Sequence, residues 1–173
     1  SRNNIGSGIE FANVGFKYEN QQVSALENIS FRIEEGEKIA ILGRTGSGKS
    51  TIQKLIMGFY NATEGSILLG NTDINQIDPQ EIRKNISFVP QEVSLFSGTI
   101  RQNITLGSPL KKDEDMIIAS EIASVSDFIK KHPMGFDLDV GERGSNLSGG
   151  QRQGIGIARA LFSGGETLIF DEP

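Results

Sequence analysis

The stretch Ile39-Ala40-Ile41-Leu42-Gly43-Arg44-Thr45-Gly46-Ser47-Gly48-Lys49-Ser50 decides the fold. Four apolar residues in a row read as a strand covered on both faces. The glycine-rich turn that follows ends in Lys-Ser and fits the spacing G-x-x-x-x-G-K-[ST]. Glycines at 43, 46 and 48 let the backbone turn tightly, so that its N–H groups can converge on an anion. A helix opening at Lys49 adds the positive end of its dipole. Ile52, Leu55, Ile56 and Phe59 recur at i, i+3, i+4 and i+7, which predicts the core-facing stripe of that helix. Strand, glycine turn and helix in this order predict a nucleotide site. Lys49 would reach the β- and γ-phosphates, Ser50 would hold Mg²⁺, and Thr51 would add a phosphate contact. A chance glycine turn would give no account of the Lys-Ser pair.

Before this stretch the grammar is that of half-buried antiparallel strands. Ile9, Phe11, Val14, Phe16 and Tyr18 alternate with polar residues, with a slip of register near Asn13-Val14, and Phe31 and Ile33 alternate again before the turn Glu34-Glu35-Gly36-Glu37. After it, strands and helices interleave. Ser66–Leu69 and Ile86–Val89 read as short strands, and Asp78-Pro79 between them is a good helix start, with Asp as N-cap and Pro in the first helical position. Residues 113–131 read as one helix, acidic at its start, basic at its end, with Ile117, Ile118, Ile122, Val125 and Phe128 inside. Ser148–Phe162 reads as a further helix led by two glycines, and Thr167–Phe170 as a buried strand. The class is α/β, with an antiparallel lobe in front and a mostly helical insert.

Composition removes whole classes of chemistry. The 173 residues contain no Cys and one His, which excludes thiol catalysis, disulfide scaffolds and any site built on two imidazoles. Seventeen basic residues against 22 acidic ones leave a net charge of −5, which argues against a nucleic-acid partner. No run approaches the ~20 apolar residues of a membrane helix, and Ser1-Arg2-Asn3-Asn4 lacks the apolar core of a signal peptide. The string begins without Met and stops at Asp171-Glu172-Pro173, straight after an apolar strand, and so reads as a piece of something longer.

Two further strings bear on the reaction. An Asp that ends a buried strand, here Asp171, suits Mg²⁺, and the adjacent Glu172 can polarise an attacking water as general base. Two acids at a strand end are common on their own; beside a phosphate loop the functional reading is favoured. Leu147-Ser148-Gly149-Gly150-Gln151 places a capping Ser before a helix start without side chains, a second anion site. Glycine there weakens the helix by ~1 kcal/mol per residue relative to Ala, and close approach of a phosphate would justify that.

With these strings in place, the chain resembles the nucleotide-binding domain of an ABC transporter, from about Ile9 to Pro173. Leu147–Gln151 reads LSGGQ, the signature of that family. The resemblance implies a P-loop core of ABC ATPase type with an N-terminal antiparallel β lobe and a helical insert. It implies one domain: a β lobe over 1–40, a P-loop core over 41–91, a signature subdomain over 92–160 and the Mg²⁺-binding strand over 161–173. It implies ATP and Mg²⁺ as ligands, with Tyr18 stacking on adenine and the cradle running from Gly43 through Arg44, Thr45, Gly46, Ser47, Gly48, Lys49 and Ser50 to Thr51. Gln91 would contact Mg²⁺ and the lytic water, joining Ser50 and Asp171 at the metal, and Glu172 would be the base. Alone, Tyr18 reads as a strand tyrosine and Gln91 as a polar strand end.

Asp139–Gly144 and Leu95–Ile104 resemble stretches of the exporter branch, with Glu142 in its X-loop. Met57–Tyr60 and His132–Phe136 resemble bacterial type I secretion ATPases, which export toxins and proteases; lipid and drug exporters share much of this text. The implied mechanism is a head-to-tail dimer. The phosphate loop of one subunit meets Ser148, Gly149, Gly150 and Gln151 of the other across ATP, and Gln91 and Glu142 carry the motion to a transmembrane domain at the cytoplasmic face of the bacterial inner membrane. The family's later D-loop, strand and switch histidine do not occur in this string, and His132 precedes the signature, as a surface loop residue. The fragment is expected to be soluble, to hydrolyse ATP poorly and to expose a sheet edge or apolar face. Two alternatives stay open: a soluble ABC-type ATPase of DNA repair or translation, and a non-catalytic nucleotide-binding module.

Overall fold

Every second side chain of Ile9–Phe16 (β1) turns inward until Asn13, where the alternation breaks and Val14, Gly15 and Phe16 are all buried. In the computed structural model β1 pairs antiparallel with Leu26–Ile33 (β2), matching Ile9 to Ile33 and Phe11 to Phe31, whose rings stack at 4.5 Å. The register shifts between Phe11 and Val14, at the slip expected from the sequence. Asn13 takes a left-handed φ of 50° there, and its N–H donates to Ser30 Oγ at 2.8 Å. The structure describes residues 8–106 and 112–171, in two units that divide between Ile86 and Ser87.

The first unit is a four-stranded sheet in the order β2-β1-β3-β4, with Glu64–Leu69 as β3 and Thr72–Asp73 as β4, together with two helices. Lys49–Ile56 forms α1 and buries Ile52, Leu55 and Ile56; Pro79–Asn85 forms α2, capped by Asp78, whose Oδ1 accepts the Gln80 N–H at 2.7 Å. Two expectations fail here. The turn at Gly58 (φ 68°) ends the stripe before Phe59, which is 54% exposed. Ile39–Leu42 is not a buried strand: it pairs with no strand among the described residues, and Leu42 is 90% exposed. An apolar run can demand neighbours on both edges and both faces, but it cannot supply them.

The second unit starts at Ser87, inside the strand Ile86–Val89 (β5), which pairs with Thr167–Phe170 (β6). Both strands end at the same side, where the Asp171 N–H donates to Val89 O at 3.0 Å. β6 is half-buried with Phe170 exposed, rather than buried as its run of apolar residues predicts. Between them lie Ile100–Thr105 (α3), Asp113–Ile122 (α4), Ser126–Lys131 (α5) and Gly149–Ser163 (α6). Residues 113–131 are thus two helices, parted at Ser124, which has a φ of 58°. The core-facing side of α4 is Met116, Ala119 and Ser120, whereas Ile117, Ile118 and Ile122 are exposed, Ile122 at 65%. At 100° per residue Met116, Ala119 and Ser120 fall on one side of the helix while Ile118 and Ile122 fall on the opposite side, and the contact with α6 selects the first set. Val125 and Ile129 join Met116, Ile100, Ile104 and Ile155 in the core of this unit.

Candidate nucleotide site

The turn from Gly43 to Gly48 is shaped by what a side chain would strike. Gly48 caps α1 with φ 92° and ψ 3°, and a Cβ there would lie 2.6 Å from Leu26 Cδ2 and 2.8 Å from Ala25 O. Only glycine fits that conformation and that space together. At Gly43 a Cβ would collide with Ser47 Oγ, and Gly46 has a φ of 81° with open space around it. The Ser47 N–H donates to Arg44 O at 3.1 Å, which closes the turn, and the Ile52 N–H donates to Gly48 O at 3.0 Å, which starts the helix.

Lys49 is the first residue of α1, and its ammonium folds back over the turn, donating to Gly43 O at 2.7 Å and to Arg44 O at 3.2 Å. The cation is therefore held at the loop, against neutral carbonyls that an anion can outcompete. Ser50 is exposed on the first turn, and Thr51, beside it, is buried. The Thr51 hydroxyl lies 3.1 Å from the Tyr18 hydroxyl in a hydrogen bond, which sets Tyr18 beside the first turn of α1. Tyr18 is further braced edge-to-face by Phe16 at 4.8 Å and by Tyr60 at 5.4 Å, with the Lys54 ammonium 5.7 Å from its ring centre. In the sequence Tyr60 has a place only in the stretch Met57–Tyr60, with no role beside Tyr18, and Lys54 carries no motif.

The other predicted residues lie in the second unit. Gln91 follows β5 and Asp171 follows β6, so the side-by-side ends of those strands bring the two together at one edge. Glu172 lies outside the described residues. Ser148 caps α6 in a reciprocal box: Ser148 Oγ accepts the Gln151 N–H at 3.2 Å, and Gln151 Oε1 accepts the Ser148 N–H at 2.9 Å. Gly149 and Gly150 are exposed, and a Cβ on Gly150 would meet nothing within 4 Å. The fold does not require glycine there, which leaves room for close approach from outside. Glu142 sits in the tight turn Glu142–Gly144, where Arg143 adopts a φ of 51°. His132 is exposed just beyond α5, its Nδ1 accepting the Met134 N–H at 3.1 Å.

The residues present suit the implied ligands. Gly48 and Gly46 keep side chains out of a turn whose amides and Lys49 favour a polyphosphate, and Ser50 in the first unit, like Gln91 and Asp171 in the second, is an oxygen donor of the hard kind that suits Mg²⁺.

Residues 26–173 match the family model described as ABC transporter. Over 168 residues the chain is 45% identical to the alpha-hemolysin translocation ATP-binding protein HlyB of Escherichia coli, covering 97% of this chain and 24% of that protein. It is 44% identical over 165 residues to the ATP-dependent lipid A-core flippase of Haemophilus influenzae, covering 95% and 28%. A solved bacterial Atm1-family ABC exporter with ATP bound matches at a TM-score of 0.88 and 38% identity, over 96% of this chain and 29% of that one. The chain thus spans 24% to 29% of the length of these relatives.

Proposed function

The chain belongs to the ABC transporter family, and from that premise we propose that it binds and hydrolyses ATP as the nucleotide-binding domain of an exporter. The observation that carries the reading is the Lys49 ammonium poised over a turn in which Gly48 alone can stand. In this reading the chain is one ATPase domain whose β lobe, P-loop core and signature subdomain act together.

Tyr18, braced by Thr51 and Tyr60, offers its ring to adenine. The amides of Gly43–Thr51 hold the phosphates, and Lys49 exchanges the carbonyls of Gly43 and Arg44 for phosphate oxygens. Ser50, Gln91 and Asp171 are the residues that would hold Mg²⁺, which when bound neutralises phosphate charge. Glu172 accepts the proton of the attacking water. Ser148–Gln151 addresses the nucleotide held by a second copy, in a head-to-tail dimer whose closure excludes water. Gln91 and Glu142 pass the motion to a transmembrane domain, at the cytoplasmic face of a bacterial inner membrane. The described residues contain no helix long and apolar enough to cross a membrane. The identity to HlyB supports toxin or protein secretion as the transport performed, and the identity to the lipid A-core flippase supports the broader class of exporters.

Calorimetry with Mg-ATP tests the reading. Saturable binding is expected, weakened at least ~10-fold by Lys49→Ala, or about 1.4 kcal/mol, at an unchanged unfolding midpoint. Binding that survives Lys49→Ala undiminished would overturn it.

A further inference from the structure

Arg159 lies on the third turn of α6, between Ala158 and Ala160, which are both buried. No carboxylate pairs with it among the described residues. Burial holds its pKa below the usual arginine value. A cation kept half-buried among neutral groups needs its hydrogen bonds, and all of them go to one segment. Nε donates to Asn103 O at 2.8 Å, Nη2 to Asn103 Oδ1 at 2.9 Å and Nη1 to Ser94 O at 3.1 Å, and the guanidinium lies 5.5 Å from the centre of the Phe96 ring.

Asn103 extends the knot. It is 1% exposed; its Oδ1 also accepts the Phe96 N–H at 2.9 Å, and its Nδ2 donates to Phe96 O at 2.8 Å and Thr99 O at 3.1 Å. Val93 is seated on the same helix, where a Cβ on Gly156 would lie 2.6 Å from its side chain. On the other side, Val89 is held by the Asp171 N–H. Between these two anchorages lie Pro90, Gln91 and Glu92.

We propose that Arg159 is a positioning residue for Gln91: by tying Ser94 and Asn103 to α6, it fixes the far end of the three-residue span that carries Gln91. The proposal rests on the ATPase reading for its catalytic consequence, and on contacts within one unit for its mechanics. A shift of α6 is then delivered to Gln91 rather than absorbed in the loop.

Nuclear magnetic resonance on the whole chain tests the mechanics without nucleotide. Arg159→Lys keeps the charge and loses the fork. The Phe96 amide is expected to exchange about 10-fold faster, with the amides of α4 unchanged, and the Gln91 side-chain amide resonance is expected to shift and broaden. Phe96→Ala, which removes only the stacking face, should move the Gln91 resonance the same way by less. An unmoved Gln91 resonance overturns the proposal, as does an equal rise of exchange throughout α3, α4 and α6, which marks plain destabilisation. Turnover tests the consequence. Arg159→Lys should lower kcat about 10-fold with KM for ATP within about twofold, and Gln91→Ala with Arg159→Lys should be no slower than Gln91→Ala alone. Losses that multiply overturn it. A chain that binds no ATP counts against the ATPase reading, and the resonance measurements then decide the positioning role alone.

Discussion

The same substitution at two points of one helix should have opposite signs. Gly150 and Gly156 both lie in α6, neither with a positive φ. A Cβ on Gly156 would stand 2.6 and 2.7 Å from the two γ-carbons of Val93 and 3.2 Å from its Cβ. Valine is stiff about χ1 and cannot swing aside, so Gly156→Ala forces α6 and residue 93 apart. Overpacking of this kind costs about 1–3 kcal/mol, against about 1 kcal/mol recovered from helix propensity. At Gly150 there is nothing to strike. Gly150→Ala should stabilise the chain by about 0.5–1 kcal/mol, with less backbone entropy to lose. The expected order of midpoints in urea is Gly150→Ala, unsubstituted, Gly156→Ala, and turnover should nevertheless fall in Gly150→Ala, because in the proposed head-to-tail dimer its first turn would present a methyl group to the nucleotide of the other copy. A Gly150→Ala chain destabilised by more than ~1 kcal/mol would refute the reasoning, since that glycine would then serve the fold.

Removing the Thr51 hydroxyl by Thr51→Val should cost about 0.5–1.5 kcal/mol in thermal unfolding, and a double-mutant cycle with Tyr18→Phe should return most of that as coupling, because the two hydroxyls bond each other at 3.1 Å. Asn103→Ala strands the Phe96 amide, two carbonyls and part of the Arg159 fork. It should cost about 2–4 kcal/mol in urea titration, and Asn103→Asp less, since the acceptor toward Phe96 and Arg159 remains. Ser148→Ala should lose about 1 kcal/mol of cap, and Ser148→Asn should restore it in the same assay.

What could be read from the sequence was what short range determines. The caps at Asp78 and Ser148, the slip at Asn13 and the glycine turn before Lys49 depend on residues within a few positions, and each stands where its local pattern puts it. The failures are those of partnership. Ile39–Leu42 has the composition of a covered strand but no ladder among the described residues. In 113–131 apolar residues occupy more of the circumference than one neighbour can cover, and only the packing with α6 reveals which of them are left in solvent. The roles of Arg159 and Asn103 were invisible for the opposite reason: an Arg amid Gly, Ile and Ala, and an Asn before Ile, look like surface residues until the chain brings together two positions 56 apart.

Along α6 the physical demands change from turn to turn, and that ordering separates function from stability. The first turn, Gly149 to Gln151, is exposed and capped, and it contains glycine that its own surroundings do not need. The second turn contains glycine that they do need: a Cβ on Gly154 would collide with Val125, and one on Gly156 would press on Val93. The third turn replaces missing side chains with a long cation, and Arg159 spans to Ser94 and Asn103. A change in the first turn should therefore reach the nucleotide without loosening the chain, and one in the second should loosen the chain without touching the nucleotide. In the third both follow, since Arg159 sits at once in the packing of the unit and at the anchorage of the span that carries Gln91.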